Sequence, residues 1–118
     1  MGHFEMQKSE ILILVELIDY IPNAVLSKTI IKKTTGNVTA FSFDSGEALL
    51  EKKCPYDNFI QVIEGKAEII VDGNSKILNS GQSIIIPAHM SNSIKANFRF
   101  KMISTIIKSG YEDVELGQ

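Results

Sequence analysis

The sequence predicts an all-β fold in which short strands form a closed barrel or sandwich. One basis is the alternation within residues 38–43, where Thr39, Phe41 and Phe43 share one face of a strand. A second is the regular succession of turn signals, of which Asp72-Gly73 between two apolar stretches is typical of a tight hairpin. A third is size, because 118 residues with 44% apolar and 22% charged side chains suit one globular domain.

The N-terminal segment, residues 1–23, precedes the predicted barrel. Residues 10–21 suit one short helix, with Ser9 as its N-cap and Pro22 as its end. They suit a strand equally well, because periodicity cannot separate the two forms in a short run of Ile, Leu and Val. The sequence therefore predicts an ordered N-terminal segment and leaves both forms open.

The barrel is predicted at residues 24–108 and a polar tail at residues 109–118. Glu64-Gly65 is interpreted as a turn between two strands, and Pro87 ends an apolar strand because proline cannot donate to a sheet. Roughly nine or ten short strands are expected. The clearest lie at residues 24–32, 38–43, 58–63, 67–71, 75–78, 84–86, 93–96 and 98–108.

Composition excludes several classes of protein. The formal net charge is -2, from 12 basic and 14 acidic side chains, which argues against a nucleic-acid partner. The apolar stretch at residues 11–18 is too short to span a bilayer, so no membrane partner is expected. The single cysteine, Cys54, excludes an internal disulfide and a Cys-based zinc cluster. A lone unpaired cysteine also suits a reducing compartment, so we expect a cytoplasmic location.

Two blocks of the sequence resemble the motifs of the cupin family. The first motif is Gly, five residues, His-x-His, three or four residues, Glu, six residues, Gly, and its glycines match Gly46 and Gly65. The second is Gly, five residues, Pro-x-Gly, two residues, His, three residues, Asn, and it matches at Gly81 and Pro87. The resemblance covers about residues 24–108 and implies a cupin-like double-stranded β-helix, or jelly-roll barrel.

The metal-ligand positions of these motifs are not retained. By the resemblance, they correspond to Lys52, Cys54, Asn58 and Asn92. A lysine ammonium has no lone pair to donate, and asparagine offers only a neutral carbonyl oxygen. We therefore predict no metal and no cofactor. A different ligand set, combining Cys54 and His89 with Asp57 or Glu51, stays open, although nothing in the spacing brings these groups together.

The predicted site is a pocket at the barrel mouth. On the family register its polar lining is Lys52, Cys54, Asn58, His89 and Asn92. Strand alternation places its apolar wall at Phe41, Phe43, Phe100 and Met102. This lining suits a small neutral or anionic ligand better than a metal. The alternative is that the aromatic side chains fill the barrel and leave little volume.

The leading functional hypothesis is metal-independent binding or sensing of a small molecule, with no catalytic residue assigned. One alternative is an isomerase-like or oxygenase-like enzyme, with or without a metal, which uses Cys54 and His89 and needs their side chains to face each other. Another is a structural homodimeric module. A homodimer is expected because the apolar residues 11–18 and 25–31 exceed what a small barrel can hide, and the resemblance implies the same.

Overall fold

The computed structural model describes residues 5–111, so residues 1–4 of the N-terminal segment and residues 112–118 of the predicted tail lie outside the described part. Eight strands and one short 3-10 helix, Leu14–Glu16, lie within it. The strands are β1 (Val25–Lys33), β2 (Gly36–Phe43), β3 (Ala48–Lys52), β4 (Asp57–Val71), β5 (Asn74–Asn79), β6 (Ser83–Ile86), β7 (Asn92–Lys95) and β8 (Phe100–Ile107). The all-β fold class predicted from the sequence is confirmed.

The long strand β4 joins two antiparallel sheets into a curled half-barrel. Its first part pairs with β8 and β6, and β2 and then β1 follow on the far side of β8. Its second part pairs with β7 and β5, and β3 adds to the far side of β7. The prediction of two separate strands around Glu64-Gly65 was therefore wrong. Gly65 bends the chain at a φ of 81°, but the strand continues through it.

The main hydrophobic core lies between the two sheets. Alternate residues of β4, such as Ile60, Val62 and Ile69, point into it, as the period of two requires. Phe43 and Phe100 are 0% exposed and stack with their ring centroids 4.5 Å apart. The end of the half-barrel that these rings occupy is therefore closed by packing.

The N-terminal segment crosses the outer face of the first sheet, and we call residues 5–24 the strap. The strap buries Ile18 against Ala40 and Ile103 in a second, smaller core cluster. Its main-chain carbonyls accept hydrogen bonds from the sheet, as when Lys101 Nζ donates to Val15 O at 2.5 Å. Because these carbonyls bond to the sheet, residues 10–21 form only the short 3-10 helix rather than the longer helix considered above.

The open end of the half-barrel, which we call the mouth, is formed by loops that connect the two sheets. Register places the end of β8 beside the start of β4, and the start of β7 beside the ends of β3 and β4. Residues 53–56 lead from β3 to β4, and residues 87–91 lead from β6 to β7. The hairpin at residues 34–35 lies at the same end of the first sheet, because Gly36 is opposite Ile107.

Candidate functional site at the mouth

The mouth loops are held together by main-chain hydrogen bonds. The His89 N–H donates to Cys54 O at 2.6 Å, and the Ala88 N–H donates to Asp57 Oδ1 at 2.8 Å. The Asp57 N–H donates to the Tyr111 hydroxyl oxygen at 2.6 Å. These contacts join the β3–β4 loop, the β6–β7 loop and the end of the described chain. The backbone around the predicted site is thereby fixed before any ligand arrives.

Asn58 faces the interior of the half-barrel near its mouth. It is half-buried, and its Oδ1 accepts a hydrogen bond from the Ser104 hydroxyl at 2.6 Å. Its Nδ2 has no hydrogen-bond partner within residues 5–111. Every fully buried side-chain nitrogen or oxygen of the described residues does have such a partner, so this Nδ2 keeps some exposed surface. The amide hydrogens of Asn58 are therefore free to donate to a bound molecule.

Asn92 holds the opposite side of the mouth. It is 4% exposed, and its Nδ2 donates to Met90 O at 3.3 Å and to Lys52 O at 3.4 Å. These bonds fasten the β6–β7 loop to the end of β3. The Asn92 Oδ1 accepts no hydrogen bond from the described residues and is not fully buried. The carbonyl of Asn92 and the amide hydrogens of Asn58 thus supply an acceptor and a donor.

Lys52, Cys54 and His89 belong to the rim of the mouth. Lys52 is exposed and lies opposite Asn92 after a register break in β3, while Cys54 is half-buried. His89 is exposed and has a φ of 70°, in the left-handed region that favours glycine. The cupin motif has glycine at this position. The backbone at this position therefore adopts a conformation that glycine accommodates more easily than the histidine that occupies it.

The side chains considered as alternative metal ligands have other partners. Asp57 accepts the Ala88 N–H, and the Glu51 carboxylate accepts the Ser91 hydroxyl. No group of three or more His, Cys, Asp or Glu side chains within residues 5–111 is arranged to hold a metal ion. Cys54 and His89 share the main-chain bond described above, and no hydrogen bond joins their side chains in this part of the chain.

The four residues of the predicted apolar wall differ in accessibility. Phe43, Phe100 and Met102 are buried in the main core, and Phe41 is half-buried at its edge. Phe41 and Phe43 are tilted neighbours with centroids 6.3 Å apart. Phe41 is therefore the one member of the predicted wall that keeps some exposed surface, whereas the other three form the packed interior.

Comparison with solved structures agrees with the fold described above. No protein family and no curated protein matches the sequence. A cupin superfamily protein from Desulfitobacterium hafniense is 27% identical, with a TM-score of 0.83 over 89% of this chain and 96% of its own. A cupin 2 conserved barrel domain protein from Leptotrichia buccalis is 30% identical, with a TM-score of 0.78 over 80% of this chain and 46% of its own. This chain has the fold of a small cupin.

A third similar structure shares the fold of this cupin without adding a function. It is a conserved protein of unknown function from Streptococcus pyogenes, 24% identical, with a TM-score of 0.84 over 90% of this chain and 93% of its own. Within residues 5–111, the cupin has no helix with the length and apolar character needed to cross a bilayer.

The cupin also has site residues that were not identified from the sequence. Ser104 pairs with Asn58, and its position two residues after Met102 on β8 places it on the same inward face. The alternation of β8 could therefore have identified it. Tyr111 was assigned to the polar tail, and nothing in the local sequence indicates that its hydroxyl reaches Asp57 at the mouth.

Proposed function

We propose that this cupin binds a small neutral or singly anionic molecule at its mouth without a metal ion. The observation that supports the proposal is the accessible amide of Asn58 together with the accessible carbonyl of Asn92. A molecule with both a hydrogen-bond acceptor and a donor satisfies both groups. The exposed ammonium of Lys52 beside Asn92 favours a ligand that is neutral or negative rather than positive.

The side chains at the family's metal positions do not fit a metal ion. The Asn58 carbonyl already accepts a hydrogen bond from the Ser104 hydroxyl, and the Asn92 amide nitrogen already donates to the main-chain carbonyls of Met90 and Lys52. Lys52 contributes a cation, which repels a divalent ion. The donor set therefore favours hydrogen bonding to an organic ligand over metal coordination.

Substitution of Asn58 by aspartate tests the proposal. Asn58→Asp keeps an oxygen for the Ser104 hydroxyl but removes both amide donors. We screen wild type against small neutral and anionic metabolites by ligand-observed NMR, and we then measure affinities by calorimetry. Loss of the amide donors should weaken binding about tenfold. Asn79→Asp, at the exposed end of β5, is the matched control and should bind like wild type.

Two results would contradict the proposal. One is the absence of any saturable ligand in the screen. The other is a ligand that Asn58→Asp and Asn79→Asp bind equally well.

The enzymatic alternative rests on the contact between the loops of Cys54 and His89. Their main-chain bond of 2.6 Å brings a thiol-bearing and an imidazole-bearing residue to one rim. If the thiol is activated by the imidazole, the rate of Cys54 alkylation by iodoacetamide should fall several-fold in His89→Gln. An unchanged alkylation rate would argue against this alternative.

We also propose that the cupin forms a homodimer through the outer face of its first sheet. Phe59 and Ile85 are cross-strand partners on that face, 37% and 62% exposed. Adjacent exposed apolar side chains of this size are typical of interfaces. Ile85→Lys should lower the dimer fraction in sedimentation equilibrium, whereas Ile77→Lys, on β5, should not. A monomeric wild type would contradict the proposal.

A further inference from the structure

Three depressions adjoin along the outer edge of the first sheet, and none of them is lined by the predicted mouth residues. The first, of about 230 Å³, lies between the strap and β1. The second, of about 190 Å³, lies over the ends of β2 and β8 and shares Ile31 with the first. The third, of about 740 Å³, lies at the β1–β2 hairpin and shares Lys33 and Thr35 with the second. We call the three together the edge groove.

One end of the edge groove is apolar. Met6, Leu12, Ile30 and Ile31 supply most of the surface of the depression under the strap, and the polar residues 7–10 line its remaining side. The register of β1 breaks between Thr29 and Ile31, and this bulge interrupts the alternation so that Ile30 and Ile31 line the same cavity. Ile31 is 41% exposed. The apolar surface is therefore open to a ligand.

The apolar surface continues over the middle of the edge groove. Val38 and Ile107 line the second depression beside Ile31. Ile107 is half exposed, since it lies at the very end of β8. From Ile30 to Lys33 the strand covers about 10 Å. That distance is comparable with the length of a medium alkyl chain.

The other end of the edge groove is basic. Lys32, Lys33 and Lys108 line the third depression with Thr34 and Thr35. The Lys108 N–H donates to Thr35 O at 2.8 Å, which fixes the end of β8 against the hairpin. The Lys108 side chain lies over the Tyr56 ring, 5.9 Å from its centroid, and no carboxylate within residues 5–111 pairs with it. Its positive charge is therefore available to a ligand.

We propose that the edge groove binds a single-chain anionic amphiphile, with the alkyl chain over Leu12, Ile31 and Ile107 and the carboxylate beside Lys108. The succession of an apolar trough and a cationic end matches the two parts of such a molecule. Lys33 adds a second cation at the same end, although it is shared with Glu5 at 3.1 Å. The basic end of the groove adjoins the mouth, because Lys108 lies over Tyr56 of the β3–β4 loop. The groove nevertheless shares none of the residues proposed to bind a ligand at the mouth and does not depend on that function.

Calorimetric titration with decanoate below its micellar concentration tests the proposal. We expect one saturable site per chain. Because each buried methylene strengthens binding by up to about fourfold, octanoate should bind several-fold more weakly. Decyltrimethylammonium, with the same chain and the opposite charge, should bind at least tenfold more weakly. Inorganic phosphate alone should not bind measurably, since it lacks the chain.

Two pairs of variants locate the site. Lys108→Gln should weaken decanoate binding several-fold, while Lys76→Gln on the exposed face of β5 should leave it unchanged. Ile31→Asn should weaken it similarly, whereas Ile77→Asn should not. Ile31 and Ile77 are both exposed, at 41% and 51%, so this pair compares equivalent surface changes.

Four outcomes would overturn the proposal. The first is that decanoate fails to bind, or that its binding does not saturate. The second is that the cationic amphiphile binds as tightly as decanoate, and the third is that the groove variants bind decanoate like their β5 controls. The fourth is a wild-type dimer in sedimentation that Ile31→Asn dissociates, in which case a second copy of the chain covers the groove.

Discussion

Tyr20 in the strap and Glu64 in β4 are joined by a 2.6 Å hydrogen bond from the phenol to the carboxylate. The Tyr20 ring also lies 4.6 Å from the Arg99 guanidinium and 4.9 Å from the Lys101 ammonium, measured to its centroid. Burial raises the pKa of Tyr20 above its usual range, and the hydrogen bond to Glu64 raises it further. The phenol therefore remains a donor at neutral pH and fastens the strap to the sheet.

Removal of the Tyr20 hydroxyl should destabilise the cupin. Tyr20→Phe keeps the ring between its cations but leaves the Glu64 carboxylate without its donor, which costs about 1 kcal/mol in the free energy of unfolding. Thermal denaturation followed by circular dichroism should show a midpoint lower by about 4 °C. Tyr56→Phe is the control, because its hydroxyl makes no hydrogen bond within residues 5–111. Equal losses in the two variants would contradict this prediction.

Attachment of the strap should depend on pH through Glu5. The side chain of Lys8, the N–H of Lys32 and the side chain of Lys33 hold the pKa of Glu5 at about 2, below its ordinary 4.5. A carboxyl whose pKa is lowered in the folded state stabilises it above the ordinary pKa, and this contribution is lost as the pH falls from 4.5 through about 2. The Met6 amide, which donates to Ile30 O, should lose protection from exchange over this range.

Glu5→Gln provides the control for that titration. Glutamine cannot ionise, so the protection of the Met6 amide should be lower at neutral pH and should not change in the same acid step. Far-UV circular dichroism recorded in parallel separates release of the strap from general acid unfolding. An identical acid step in wild type and Glu5→Gln would show that other groups control attachment.

Gly65 should tolerate no side chain. A Cβ at this position would lie 2.5 Å from the main-chain oxygen of Arg99, and the φ of 81° adds strain. We expect Gly65→Ala to lower the free energy of unfolding by about 2 to 4 kcal/mol in urea titration. Gly73→Ala has a nearly equal φ of 82° but open space around the added methyl, so its loss should be about 1 kcal/mol. Similar losses in the free energy of unfolding for the two variants would mean that the positive φ, and not the contact with Arg99, sets the cost of the substitution.

Phe100 should be required for the closed end of the half-barrel. Its ring is fully buried and stacks on Phe43, so Phe100→Ala should cost about 3 to 5 kcal/mol in the free energy of unfolding. Phe98→Ala, two residues away and 65% exposed, should cost less than about 1 kcal/mol. Urea titration measures both. A small loss for Phe100→Ala would indicate that the ring borders an open cavity rather than a packed core.

Much of the fold follows from local patterns in the sequence. Alternation within residues 38–43 predicts which side chains of β2 face the core, because a strand presents successive residues to opposite faces. Asp72-Gly73 predicts the β4–β5 hairpin, where both residues have positive φ. The candidate positions Asn58 and Asn92 followed from their spacing to the glycines and the proline of the cupin motifs. Each of these signals lies within a few residues of the strand, turn or site position that it predicts.

The rest depends on partners that are distant in sequence. Whether residues 10–21 form a helix was decided by hydrogen bonds to the sheet, such as the one between Lys101 and Val15, 86 residues apart. The orientation of the Asn58 amide is set by Ser104, 46 residues away, whose hydroxyl donates to the amide oxygen. The sequence by itself determined strand faces, turns and the family motifs, since these reflect local backbone preference and period. Only the tertiary structure decided which polar groups remain accessible, because that depends on which partner the packing brings within hydrogen-bond distance.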